Sequence, residues 1–198
     1  MNEVNLIYPI FSSSRSALTD LISIISLIIL KVRAFFSPLL LIVNSIDEVE
    51  TLREGDVEAP IYLCVQPAPF QADRVVKSGA RIALCSLEVA TAIDAAAQRQ
   101  GRVVQCHIKV ETGTNRQGVS GDELTDLVQL VGRLDGLIIE GLTTHFADVE
   151  DTTDHSFAEG QIKALATAVS TVRELGIEVP MVHAANSAAT LMWPETHV

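Results

Sequence analysis

Residues 103–146 read VVQCHIKVETGTNRQGVSGDELTDLVQLVGRLDGLIIEGLTTHF. An apolar run (103–110) is followed by a polar loop that holds Arg116 between Gly113 and Gly118. A helix-period stretch, GDELTDLVQLVGRL, and a second apolar run, GLIIEGLTTHF (136–146), complete the segment. Short apolar runs that do not alternate with polar residues suit strands buried on both faces, and a helix between two of them makes a βα unit of a parallel sheet.

The same alternation extends in both directions. Upstream lie SIDEVETLRE, IYLCV (61–65), FQADRVVKSG (70–79), RIALCS (81–86) and the alanine-rich LEVATAIDAAAQRQ. Downstream lie FAEGQIKALATAVSTVRELG (157–176) and VPMVHAANS (179–187). Five strands are expected after residue 60, and LLLIV at 39–43 makes a sixth. Six is short of the eight that close a barrel of this kind.

A chain of 198 residues, 48% hydrophobic, can bury one sizeable core. Its formal net charge of -11 excludes the clustered cations of a nucleic-acid footprint and favours a small-molecule partner. Cys64, Cys85 and Cys106 are odd in number and 21 residues apart. Such spacing suggests equivalent positions of successive units, buried as core thiols, and fits a reducing cytoplasm.

The chain changes character near residue 46. Residues 1–46 hold no glycine but nine isoleucines and eight serines, whereas residues 47–198 hold all eleven glycines and a local charge of -12. The stretch LISIISLIILKVRAFFSPLLLIV (21–43) has the length of a membrane span, but Lys31 and Arg33 sit at its centre and Pro38 interrupts it. Each central charge costs roughly 2.5 to 3.5 kcal/mol on insertion. A membrane span is therefore not expected, and Glu3 and Asp20 do not suit a signal peptide. Residues 1–42 are expected to be an atypical leader, as a reading-frame or gene-start error would produce.

In βα folds chemistry gathers where strands end and loops begin. Three such points are polar here: KVETGTNRQG, with Glu111, Thr112, Asn115 and Arg116; TTHFAD, with His145; and VHAANSAA, with His183, Asn186 and Ser187. Each has a plainer reading. Arg116 can pair with Glu111 or cap the turn, and His145 can be a core histidine bonded to backbone. Asn186 and Ser187 can simply cap a helix, although free amides at a helix start also bind phosphate. His145, Asp148, Asp154 and His155 match no compact metal-ligand spacing, and no metal is expected.

Taken in order, KVETGTNRQGV, EGLTTHFADVED and HAANSAATLMWPETH resemble the alanine racemase family of pyridoxal-phosphate enzymes, over about residues 43–198. The resemblance implies an α/β fold: a partial (β/α)8 TIM-type barrel lacking the first barrel strand with its lysine and the C-terminal β domain. It implies that Arg116 approaches the phenolic oxygen of pyridoxal 5'-phosphate and the substrate, and that Lys109 buttresses Arg116, in some members after carbamylation. His145 stands against the pyridine ring with His183 behind it, and Asn186 and Ser187 lie beside the phosphate. The implied reaction interconverts L- and D-alanine, supplying D-alanine for peptidoglycan, in a homodimer. Alternatives are another barrel enzyme acting on D-amino acids, such as a D-amino-acid aldolase, or a non-catalytic membrane-anchored remnant.

Two family bases are not matched. The family's cofactor-bearing lysine sits in a motif like VVKANAYGHG, and none of Lys31, Lys77, Lys109 and Lys163 stands in such a motif. The family's tyrosine base is matched by neither Tyr8 nor Tyr62. No catalytic residue is therefore assigned, and this chain is expected to be an inactive fragment.

Overall fold

A computed structural model describes residues 8–9, 40–149, 154–184, 186 and 189. Most of the leader, including Lys31, and Ser187 near the other end lie outside the described residues. Seven parallel strands form one sheet in sequence order: β1 (Tyr8–Pro9), β2 (Leu41–Val43), β3 (Ile61–Leu63), β4 (Arg81–Leu84), β5 (Val104–Lys109), β6 (Leu137–Thr143) and β7 (Met181–His183). Between them run α1 (Ile46–Glu54), α2 (Ala72–Ser78), α3 (Leu87–Gln100), α4 (Gly121–Val131) and α5 (Ser156–Glu174).

Each strand pairs with the one before it, and the order never reverses. A doubly wound sheet reverses its order, whereas winding in one direction is how a βα barrel is built. The six expected strands are present. In addition Tyr8–Pro9 pairs with Leu41–Ile42 in the first position, and neither of its residues is a lysine.

Local signals set the helix ends. Ser45 caps α1 in a reciprocal box: its Oγ accepts from the Glu48 N–H (3.2 Å), and the Glu48 carboxylate accepts from the Ser45 N–H (3.0 Å). Ser86 caps α3 in one direction only, its Oγ accepting from the Val89 N–H at 3.4 Å. Ile46, Val49 and Leu52 form the buried stripe of α1, and Leu124, Leu127, Val128 and Val131 that of α4.

The strand register sorts side chains between two environments. Ile61, Leu63, Ile82, Leu84, Val104, Cys106, Ile108 and Leu142 pack against the helices in one apolar core. Their alternates, Tyr62, Arg81, Gln105, His107, Lys109, Thr143 and His183, turn to the other face, the bore of the barrel. Bores of such barrels are usually filled by branched apolar residues. Here polar groups fill much of it.

A register shift between Cys106 and His107 leaves Glu140 as an extra residue in β6. This bulge aims a second residue at the bore beside the strand's regular pairs. It also brings Gly141 against β7, where an added Cβ would lie 2.5 Å from the Met181 carbonyl oxygen.

The even cysteine spacing does not correspond to equivalent positions. Leu63 pairs with Ile82, 19 residues on, and Ile82 pairs with Cys106, 24 residues on. Only Cys106 is a buried core thiol; Cys64 and Cys85 stand half-buried, and the Cys64 thiol donates to Asn44 Oδ1 at 3.2 Å.

Candidate functional site

The carboxyl ends of β5, β6 and β7 carry the predicted polar residues that are described; Ser187 lies outside them. Lys109 is buried, and its ammonium donates to the Thr144 carbonyl at 3.1 Å. The lowered pKa of Lys109, about 8, comes chiefly from burial, with the nearby Arg116 charge adding to it and the Cys64 thiol opposing it. Lys109 therefore has a neutral fraction at ordinary pH that a surface lysine lacks.

The loop that carries Arg116 folds around a carboxylate. Glu111 accepts from the Gly113 N–H at 2.5 Å. Burial works to raise its pKa, but backbone N–H groups of residues 113–116 outweigh that and hold it below the ordinary carboxylate value. Glu111 is thus occupied by backbone, and Arg116 makes no ion pair among the described residues: it is exposed at the mouth of the bore. Gly118, at φ +146°, lets the chain return, since a Cβ there would lie 2.5 Å from the Glu111 nitrogen. The return is closed by bonds from the Val119 N–H to the Lys109 carbonyl (2.9 Å) and from the Glu111 N–H to the Val119 carbonyl (3.0 Å).

Gln161 of α5 ties this loop to the next one. Its side chain is almost fully buried; its amide nitrogen donates to Thr112 Oγ1 and the His145 carbonyl, both at 3.1 Å, and its oxygen accepts from the Ala147 N–H at 2.9 Å. Thr114 Oγ1 also donates to the His145 carbonyl, at 2.6 Å. The segments bearing Arg116 and His145 are therefore held as one unit by a helix residue that the sequence reading did not single out.

His183 ends β7 and faces into the bore. Its Nε2 lies 2.7 Å from Nδ1 of the fully buried His107, whose Nε2 lies 2.9 Å from Glu140 Oε2. Arg81 Nε donates to that same oxygen at 2.6 Å, and Gln105 Nε2 donates to Oε1 at 2.9 Å. Burial pushes against the Glu140 charge, yet the bonds from His107 and Arg81 hold its pKa down to about 2. The Tyr62 ring packs on both histidines, with centroids 4.8 and 5.5 Å away.

Asn186 Oδ1 accepts from the Ala189 N–H at 2.8 Å, and its Nδ2 donates to the Phe146 carbonyl at 3.5 Å. No set of three or more His, Cys, Asp or Glu side chains converges as metal ligands among the described residues.

His107, Glu140 and Gln161 were missed because they lie inside elements, and Arg81 because it opens β4, away from the carboxyl ends of the strands. A signal existed for two of them. Glu140 is a lone carboxylate in the apolar run LIIEGL, and His107 stands two residues before Lys109, on the same strand face.

A singly wound parallel sheet with polar residues at its carboxyl ends puts the chain in the βα-barrel class. Residues 40–198 match the family model for the alanine racemase N-terminal domain, and the chain belongs to the alanine racemase family. It is 35% identical over 153 residues to an alanine racemase of Desulfovibrio desulfuricans, covering 77% of this chain and 41% of the relative. An alanine racemase of Symbiobacterium thermophilum is 34% identical, with coverage of 78% and 41%. The chain thus spans less than half the length of these curated relatives. Among solved structures, alanine racemase of Clostridium difficile superposes with a TM-score of 0.81 at 22% identity, covering 90% of this chain and 45% of that one. A D-threonine aldolase of Filomicrobium marinum shares the fold at a TM-score of 0.70 and 16% identity, covering 76% and 43%.

Proposed function

We propose that residues 43–198 are the barrel part of a pyridoxal-phosphate-dependent alanine racemase. The observation that carries this is the exposed Arg116 guanidinium, without an ion-pair partner among the described residues, at a mouth shared with Lys109, His145 and His183. An anionic cofactor needs a free cation and hydrogen-bond donors, and this end of the sheet offers both. When bound, pyridoxal phosphate supplies the conjugated ring that accepts the negative charge left when an amino acid loses its α-proton.

This chain's own residues would hold that group. Arg116 binds the phenolic oxygen and the substrate side, and His145 faces the ring with His183 behind it. Asn186 and Ser187 lie beside the phosphate. In the family setting the racemase works as a cytoplasmic homodimer that supplies D-alanine for the cell wall. Binding is checked by titrating the chain with pyridoxal phosphate: the Arg116→Ala variant is expected to bind at least about tenfold more weakly, a charge-assisted bond being worth roughly 1.5 to 3 kcal/mol. Equal binding by the variant removes Arg116 from the site.

The chain as it stands is expected to turn over L-alanine negligibly, because none of its four lysines occupies the family's cofactor-bearing motif. The test is D-alanine formation from purified chain with added cofactor. A kcat within a few orders of magnitude of the usual ~10 per second overturns this expectation.

Lys109 is proposed to buttress Arg116 as a carbamate. Its neutral amine, available from about pH 8 upward, attacks the carbon of carbon dioxide, forms an N–C bond and releases a proton. The product is an anion beside the Arg116 cation. With 13C-labelled bicarbonate at pH 8 to 9, a carbamate carbonyl resonance is expected that is lost in Lys109→Ala; its persistence in the variant assigns the adduct to another amine.

A further inference from the structure

The polar chain inside the bore has a direction that its hydrogen-bond chemistry fixes. An ionised carboxylate can only accept, so Glu140 Oε2 requires donors from both Arg81 Nε and His107 Nε2. His107 therefore carries a proton on Nε2. The ring is fully buried, and Arg81 already balances the single carboxylate charge. A second cation there would be unpaired in a poorly solvated place, which favours the neutral ring.

A neutral His107 protonated on Nε2 has a bare Nδ1, which must accept. The atom facing it at 2.7 Å is His183 Nε2, so His183 carries its proton on that nitrogen. His183 is itself kept neutral chiefly by its burial, which lowers its pKa. Its Nδ1 is then bare: Thr143 Oγ1 lies 3.2 Å away, but its single proton also reaches the Thr144 carbonyl at 3.2 Å, so the nitrogen can accept from another donor. The groups around this chain are the Tyr62 phenol on β3, Arg81 on β4, the Cys106 thiol and Lys109 on β5, and Glu140 on β6.

We propose that Glu140, held by Arg81, is a positioning residue that sets the proton order through His107, so that His183 offers a neutral ring with an unprotonated Nδ1 at the top of the bore. The consequence is selective. A group docking against that nitrogen must bring an O–H or N–H, and carboxylate or phosphate oxygens are turned away toward Arg116. This rests on the reading of the bore mouth as a ligand site, but the ring states themselves can be read without any ligand.

The test is long-range 1H–15N correlation on the full chain with 15N-labelled histidine at pH 6 to 8, assigned with His107→Gln and His183→Gln. Both rings are expected to be neutral, with Nε2 protonated and Nδ1 bare. An imidazolium at either ring at pH 7, or His183 protonated on Nδ1, overturns the proposal. In Arg81→Gln the carboxylate loses its counter-charge: His107 is expected to become imidazolium, donating from both nitrogens and forcing His183 to the opposite tautomer. Glu140→Gln keeps an acceptor and is expected to keep the wild-type order. If both rings are unchanged in Arg81→Gln, the pair does not set the order. Failure to bind pyridoxal phosphate would leave these spectra as expected, so it counts against the proposed function alone.

Discussion

Gly141→Val is expected to destabilise the fold by about 3 kcal/mol or more and to detach β7. The added Cβ would meet the Met181 carbonyl oxygen at 2.5 Å and the Met181 Cβ at 3.1 Å. These atoms belong to the neighbouring strand, so relief requires moving backbone rather than rotating a side chain. Overpacking usually costs about 1 to 3 kcal/mol, and a clash with paired backbone lies at or beyond that upper end. Urea unfolding measures the loss. The His183 ring signals should shift as well, because β7 positions that ring against Thr143 and His107. A loss below about 1 kcal/mol would mean that the bulge in β6 can absorb a side chain.

Glu140→Leu is expected to cost about 3 kcal/mol near neutral pH, leaving the Arg81 guanidinium and the His107 N–H without their acceptor. Removing one partner of a buried pair typically costs 3 to 5 kcal/mol, and the partial exposure of Arg81 places this case at the lower end. For a chain of this size, roughly 2 to 4 °C per kcal/mol gives a fall in Tm of about 10 °C. The wild-type carboxylate has a folded pKa of about 2, below its ordinary 4.5. Its contribution is therefore full above pH 4.5 and fades as the pH falls toward 2. Thermal melts between pH 7 and pH 2.5 should show wild type and variant converging in acid. A difference that stays constant with pH would assign the cost to packing instead of charge.

Much of the fold is legible in the sequence for a definite reason. Parallel strands buried on both faces appear as apolar runs such as IYLCV and RIALCS, and Ser45 and Ser86 mark where helices begin. The strand-end residues were legible because a βα fold gathers the loops that follow its strands at one face. Pairing between strands was not legible. The bulge at Glu140 depends on how β5 and β6 align, and the equal spacing of the cysteines suggested an equivalence that register removes. The Arg81–Glu140–His107–His183 chain stayed hidden for the same cause, since its members lie on four strands. The role of Gln161 needed the path of α5 beneath two loops, which no local pattern encodes.

The strict sequential order of the strands carries a consequence for synthesis on the ribosome. Each new βα unit finds its neighbour already made, so the sheet can grow as the chain emerges. Arg81 and Glu140 are both available before β7 exists, whereas His183 joins His107 from 76 residues away. At roughly 5 to 20 residues per second, the growing chain would hold its ion pair for a few seconds before His183 arrives. The buried charges are thus matched before the His183 ring joins the hydrogen-bonded chain.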